Sequence, residues 1–155
     1  FIKKKNNKRK INLSFKINKE KEIKYGMHKL STYKLFANRV KNSKKNLKKI
    51  FHQISLKNKT VIGYGVTAKS TTILNYCKIG KNLIKYFVDT TKDKQNKYTP
   101  GTKIPIFKYP GFIKKDVDYV FLGAWNFRDE IFEKEKTFIK NGGKFIIHTP
   151  IPKVI

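Results

Sequence analysis

Very little in this chain could cross-link it. Among 155 residues there is one cysteine, Cys77, which excludes an intrachain disulfide and any zinc site built from clustered thiolates. An inert, buried thiol in a reducing cytoplasm is the expectation. No run of about 18 apolar residues occurs, so no helical membrane span is expected. The basic N-terminus lacks the apolar h-region of a secretory signal. Acidic residues are scarce, ten against 37 Lys and Arg, for a net charge of +27. Arginine is scarce as well, limited to Arg9, Arg39 and Arg128. A cationic excess of this size attracts polyanions. Arginine, however, is the side chain that forks onto phosphates and base edges. Lys, Asn, Ile, Phe and Tyr are also abundant together, as AT-rich coding produces. The cations therefore read as a solvated lysine surface, and no nucleic-acid partner is expected. The first residue, Phe1, is not Met, which reads as the start of a segment of a longer chain.

The charge is uneven. Residues 1–59 carry 20 Lys and Arg against Glu20 and Glu22, and residues 60–155 carry 17 against eight acids. Residues 1–29 read as a basic tail or linker. In it, Ile11, Leu13, Phe15 and Ile17 alternate with polar residues, which predicts a short strand. Lys3-Lys4-Lys5 and Lys8-Arg9-Lys10 are short basic runs, expected to be solvated. Ser31 or Thr32 can cap a long helix over 30–54. Tyr33, Phe36, Val40, Leu47, Ile50, Phe51 and Ile54 then make one apolar face, with lysines on the other. That face is expected to pack on the neighbouring domain, not on a membrane. His28 and His52 have no partner at metal-ligand spacing.

From residue 59 the pattern changes to an α/β core that runs to 152. Thr60 to Gly65 is a short apolar run ending in glycines, and Ala68 to Cys77 reads as a helix with Ile73, Leu74 and Cys77 inward. Leu83 to Asp89 predicts a second strand, Ile104 to Ile106 a short extended piece, and Val117 to Ala124 a third full strand. Asn126 to Lys140 reads as a helix ended by Asn141-Gly142-Gly143, and Lys144 to His148 as a last strand. Alternation of this kind predicts a Rossmann-like α/β domain: a mostly parallel sheet flanked by helices, preceded by the long amphipathic helix.

Gly63-Tyr64-Gly65-Val66-Thr67-Ala68 matches G-x-G-x-x-G/A between a strand and a helix, and Asp89 lies 26 residues beyond Gly63 at the end of the next strand. Such an arrangement can hold a nucleotide. Gly63 permits the turn, Gly65 lets backbone approach a phosphate, the helix start offers N–H groups, and Asp89 can accept from a ribose hydroxyl. A tight strand-to-helix turn needs glycine with or without a ligand, so both readings stand. Lys69, in the first helical turn, opposes the helix dipole, which suits an anion nearby as well as plain exposure. Thr60 to Ile62 offer no acid before the turn, so it does not look like a methyl-donor site.

Further residues complete a pattern. Gly63-Tyr64-Gly65 with Ala68-Lys69 and Leu74-Asn75-Tyr76 come first. Asp89, Lys94-Gln95, Pro100-Gly101-Thr102 and Ile104-Pro105-Ile106 follow. Ala124-Trp125-Asn126, Glu130-Ile131, Gly142-Gly143-Lys144-Phe145 and Pro150 close it. Over roughly 30–152 the chain resembles the C-terminal domain of the S-adenosylmethionine-dependent C-methyltransferases, best known for acting on nucleotide-linked deoxysugars. The resemblance implies a Rossmann-like domain preceded, in the full-length protein, by a zinc-binding N-terminal domain and a central domain that binds S-adenosylmethionine. It implies a nucleotide-sugar substrate and an interface with the preceding domains. It carries no catalytic residue and no metal ligand onto this segment, which alone would be inactive. Val66, Ser70, Lys92 and Asn96 depart from the family pattern, standing for alanine, glycine, proline and glycine.

The residues expected at the substrate are Gly63, Gly65, Lys69, Asp89, Lys94, Trp125, Asn126 and Glu130. Trp125 and Asn126 sit at a strand's C-terminal end, where open sheets bind ligands. Trp125 can stack on a base or sugar face, Asn126 can contact substrate or cap the next helix, and Lys94 can meet a diphosphate or remain a bare surface cation. A free-standing nucleotide or sugar-nucleotide binding module without catalysis is the alternative. A nicotinamide enzyme is disfavoured, because no proton donor accompanies the fingerprint.

Overall fold

The computed structural model describes residues 12–109 and 116–155. Lys3-Lys4-Lys5, Lys8-Arg9-Lys10 and Ile11 lie outside them. Contacts divide the chain into two compact units, one ending at Val40 and one spanning Lys41–Ile155.

In the first unit, Asn12 caps helix α1 (Leu13–Lys24), its side chain accepting from the Ser14 N–H. The strand expected around Leu13, Phe15 and Ile17 is therefore a helix. No residue of α1 is buried, so the alternating side chains had no sheet face to select. A turn through Gly26 (φ +69°) leads into α2 (Leu30–Leu56). Thr32 does not cap α2. Its hydroxyl donates back to the Gly26 carbonyl at 2.8 Å, and the Tyr33 hydroxyl donates to the Met27 carbonyl at 2.6 Å. Both bonds pin the turn.

In the second unit the C-terminal half of α2 buries Leu47, Phe51 and Ile54. The sheet follows as β1 (Val61–Tyr64), β2 (Phe87–Asp89), β3 (Ile106–Lys108), β4 (Tyr119–Leu122), β5 (Lys144–Ile147) and β6 (Lys153–Val154). Its order is β3-β2-β1-β4-β5-β6, parallel except for β5–β6. All four residues of β1 are buried, as expected for a parallel strand covered on both faces. One face holds Leu47, Phe51, Leu74, Phe87 and Phe121, and the other holds Ile62, Val120, Leu122, Ile131 and Phe145.

The remaining elements are α3 (Ala68–Cys77), α4 (Arg128–Lys134), α5 (Lys136–Lys140) and two 3-10 turns at Lys92–Lys94 and Trp125–Phe127. Three expectations need correction. Leu83 to Tyr86 precede the second strand, because Leu83 and Ile84 close a turn on the Gly80 carbonyl. The helix expected over Asn126 to Lys140 breaks at Glu135, whose buried carboxylate accepts from the Tyr109 hydroxyl at 2.6 Å. An antiparallel strand, β6, follows the prolines and pairs Ile146 with Val154. No helix among the described residues is long and apolar enough to cross a membrane.

His148, just beyond β5, is only 3% exposed and stacks on Phe121 with ring centroids 5.3 Å apart. Its Nδ1 lies 3.0 Å from the Thr149 hydroxyl, and its Nε2 is buried with no hydrogen-bond partner among the described residues. Burial holds its pKa down to about 4. Above about pH 6.5 the imidazole is neutral in both folded and unfolded chains. Between there and pH 4 only the unfolded chain takes the proton, so stability falls with pH, by about 1.4 kcal/mol per unit at most. Urea unfolding should show His148 removing about 2 kcal/mol between pH 7 and pH 5, a loss that His148→Leu abolishes.

Candidate functional site

The order of the sheet reverses between β1 and β4, so their C-terminal ends flank the position where open α/β sheets bind ligands. Both strands leave through glycine. A Cβ on Gly63 would enter the Phe87 ring, one on Gly65 would meet the Ala124 methyl, and one on Gly123 would strike the Gly65 carbonyl. Gly65 also holds φ at +77°, a conformation that excludes most side chains. The room left by the second glycine of the fingerprint is thus filled by the polypeptide itself.

The donors of the turn are engaged as well. The Gly65 N–H reaches the Val88 carbonyl at 2.8 Å, and the Val66 N–H reaches Asp89 Oδ2 at 2.7 Å. Thr67 and Ser70 form a reciprocal capping box at the start of α3, which satisfies two more orphan donors. The Thr67 hydroxyl also lies 3.1 Å from the Gly123 carbonyl, tying the two exits together. Ser70, which stands where the family pattern has glycine, is the reciprocal partner in that box. Asn96, another departure from glycine, has φ +58°, a region that Asn tolerates better than most residues.

Asp89 is 5% exposed. Its Oδ1 accepts from the Thr91 N–H at 2.8 Å, and its Oδ2 takes the Val66 N–H. Lys94 Nζ lies 3.4 Å from Oδ2 and donates to the Val66 carbonyl at 2.7 Å. The Gln95 amide donates to the Asp89 carbonyl at 3.0 Å. Burial pushes the carboxyl pKa up, but the backbone donors of Thr91 and Val66 and the Lys94 charge outweigh it, leaving the pKa below its ordinary value. Gly63, Gly65, Asp89 and Lys94 are therefore together, braced on one another.

Lys69, Trp125 and Asn126 form a second group. Lys69 Nζ sits 5.3 Å from the centroid of the Trp125 ring and donates to Asn126 Oδ1 at 3.2 Å. The Asn126 side chain makes no cap for the following helix, whose start has no side-chain cap bond. Trp125 and Asn126 line an open cleft of about 230 Å³ with Arg128, Asp129, Ile147, Thr149 and Pro150. Arg128 and Asp129 pair with each other at 2.8 Å. Glu130 is exposed on α4, and no hydrogen bond or ion pair among the described residues joins it to Lys69, Trp125 or Asn126. Such a group offers a cation, an aromatic face and an amide, which suits an anionic ligand carrying a planar or sugar-like face. No cluster of potential metal ligands occurs among the described residues.

Reading the sequence missed a third group. Tyr64, at the end of β1, packs on Tyr109 with centroids 5.2 Å apart, and Tyr109 donates to Glu135. Burial, then the Glu135 charge, pushes the Tyr64 phenol up to about 12, and burial with the Glu135 hydrogen bond raises Tyr109 as well. Lys134 Nζ covers the Tyr109 ring at 4.1 Å. No local pattern announces this contact between residues 26 apart. The capping box was missed as well, although Thr67, an N-cap residue type directly before α3, is a signal that could have found it.

Comparison with known proteins gives two matches. The family described as C-methyltransferase C-terminal domain matches residues 1–152. The C-methyltransferase NovU of Streptomyces niveus is 37% identical over 123 residues, covering 79% of this chain and 29% of NovU. The chain thus spans about three-tenths of the length of that relative.

The Asp89 brace predicts its own failure. Asp89→Ala leaves the Val66 and Thr91 donors and the Lys94 cation without their acceptor, at a cost of about 2–4 kcal/mol. A urea titration should show a lower midpoint, whereas Glu130→Ala, on the exposed face of α4, should leave the midpoint nearly unchanged.

Proposed function

The chain belongs to the C-methyltransferase C-terminal domain family, and from that premise we propose that it is the substrate-side domain of an S-adenosylmethionine-dependent enzyme acting on a nucleotide-linked sugar. In this reading residues 30–155 form the domain and residues 1–29 join it to the preceding part. The full-length protein removes a proton from a sugar carbon beside a carbonyl, and the resulting enolate carbon takes the methyl group, leaving S-adenosylhomocysteine. The proton-accepting base and the methyl-donor site belong to the preceding domains, with zinc in the first of them, and the enzyme works in the cytoplasm.

One observation carries the substrate assignment: Lys69 is held over Trp125 by Asn126, and Trp125 and Asn126 line an open cleft between the segments that follow β4 and β5. Lys69 meets the diphosphate charge, Trp125 stacks on the base or sugar, and Asn126 positions the lysine. Glu130, one turn along α4, faces a sugar hydroxyl. Gly63, Gly65, Asp89 and Lys94 contribute by shaping the edge on which this group stands. The glycine turn does not suit the methyl donor. No acid precedes it, and its Gly65, Val66 and Ser70 N–H groups are engaged within the chain. Binding of the donor by this segment is therefore not part of the reading.

Kinetics of the full-length protein test this assignment. Lys69→Ala and Trp125→Ala should each raise KM for a thymidine-diphosphate ketosugar about tenfold with a smaller change in kcat, corresponding to about 1.4 kcal/mol of binding. KM for S-adenosylmethionine should stay constant. A nucleotide-sugar KM unmoved in both variants removes the site from the substrate, and absence of methyl transfer to any nucleotide sugar removes the substrate class.

A further inference from the structure

We propose that Thr149 reads the nucleobase of the substrate: its hydroxyl donates to a carbonyl oxygen on the base, and His148 is the positioning residue that leaves that hydrogen free. This assignment deepens the proposed function and rests on it, since it takes the cleft beside Lys69 as the seat of a nucleotide-linked sugar.

The buried imidazole comes first. His148 is 3% exposed and stacks on Phe121. Its Nδ1 lies 3.0 Å from the Thr149 hydroxyl, and its Nε2 is buried with no hydrogen-bond partner among the described residues. A neutral imidazole carries its hydrogen on one nitrogen only. With the hydrogen on Nε2, Thr149 would donate to Nδ1 and a buried N–H would be orphaned. With the hydrogen on Nδ1, the ring donates to the Thr149 oxygen, and only a lone pair on Nε2 goes unpaired. Among buried backbone groups an orphaned N–H is rarer than an under-satisfied acceptor, and the same preference in this ring selects the Nδ1–H tautomer.

The hydroxyl comes next. Its oxygen accepts from Nδ1, so its hydrogen remains to be donated. The Thr149 side chain has no other hydrogen bond among the described residues. Thr149 is half-buried and lines the cleft with Trp125, Ile147 and Pro150. A ligand that displaces water there must supply an acceptor, or the hydroxyl is left unsatisfied.

The lining selects which part of the substrate supplies it. Ile147, Pro150 and the Trp125 indole are apolar walls, suited to a planar ring with polar atoms only at its edge. A sugar ring would set hydroxyls against Ile147 and Pro150. A phosphate would lose hydration without a free cation, because Arg128 is paired with Asp129 at 2.8 Å. Lys69, on the Trp125 ring, remains for the diphosphate. A base carbonyl is the acceptor that fits beside Thr149.

Two measurements on the full-length protein test this. The first is the nitrogen NMR spectrum of protein labelled with 15N-histidine at neutral pH, with His148 assigned by its absence in His148→Leu. Nδ1 should appear protonated and Nε2 bare. The reverse pattern overturns the proposal, because the Thr149 hydrogen is then donated to His148. The second is competitive inhibition of methyl transfer by thymidine diphosphate and by pyrophosphate, which has no base. Thr149→Val should weaken thymidine diphosphate about fivefold and leave pyrophosphate unchanged, while Thr149→Ser restores wild-type inhibition. In a His148→Leu background the Thr149→Val effect should largely disappear. An undiminished effect there overturns the positioning role of His148. Equal weakening of both inhibitors by Thr149→Val overturns the base contact in favour of a phosphate contact. Lys69→Ala tests the underlying reading and should weaken both inhibitors. If it does so while Thr149→Val weakens neither, the Thr149 assignment alone fails. If Lys69→Ala weakens neither, the reading of the cleft fails and the assignment falls with it.

Discussion

The Asp89 carboxylate is the contact on which the upper edge of this sheet depends. It terminates β2, yet one of its oxygens accepts from Val66 in the turn after β1 while the other accepts from Thr91 in its own loop. A buried carboxylate is costly unless its lone pairs are satisfied. Here the surrounding donors and the Lys94 ammonium satisfy it, and its pKa falls despite burial. Lys94 then returns to the Val66 carbonyl. The glycine turn, the end of β2 and the following 3-10 turn are thus cross-linked by these bonds just ahead of the start of α3.

From that constraint follows the division of labour along the edge. The turn that resembles a dinucleotide fingerprint has spent its donors on Asp89, Val88, Thr67 and Ser70, and its glycines make room for the Phe87 ring and for Ala124. What remains accessible is the next layer out. Lys69 rises from the first turn of α3, and Trp125 and Asn126 follow β4. Because Gly65 packs against Ala124, the lysine is brought over the indole immediately beyond it. The packing that closes the turn thus assembles the polar group at the rim.

Much of this was legible in the residues. The apolar run at Val61, the glycines and the apolar spacing of Ile73, Leu74 and Cys77 announce β1, the turn and α3, because strand, glycine exit and helical period all depend on near neighbours. The family motifs placed Trp125 and Asn126 beside one another and Lys69 in the same fold. Their meeting required the β1–β4 adjacency, which pattern alone implies only through the parallel sheet. Asp89 was read as an acceptor for a ribose. A terminal acid has the same appearance in a sequence whether it faces ligand or backbone, and only the distance to Val66 separates the two. The break at Glu135 and the two residues of β6 were not legible. One depends on a tyrosine 26 residues earlier and the other on a strand too short to show a period.

The N-terminal segment shows the limit of periodicity most clearly. Leu13, Phe15 and Ile17 alternate as strand residues do, but a period selects a conformation only when one face is buried. No residue of α1 is buried, so local terms decide: Asn12 caps, Lys and Glu favour helix, and the alternation is carried along unused. In α2 the same principle operates in the other direction. Its apolar stripe has the right period throughout, yet only Leu47, Phe51 and Ile54 are buried. Periodicity therefore reports which side chains could share a face. Burial reports which of them have a partner within the chain, and in α2 these are Leu47, Phe51 and Ile54, the residues that close over one face of the sheet.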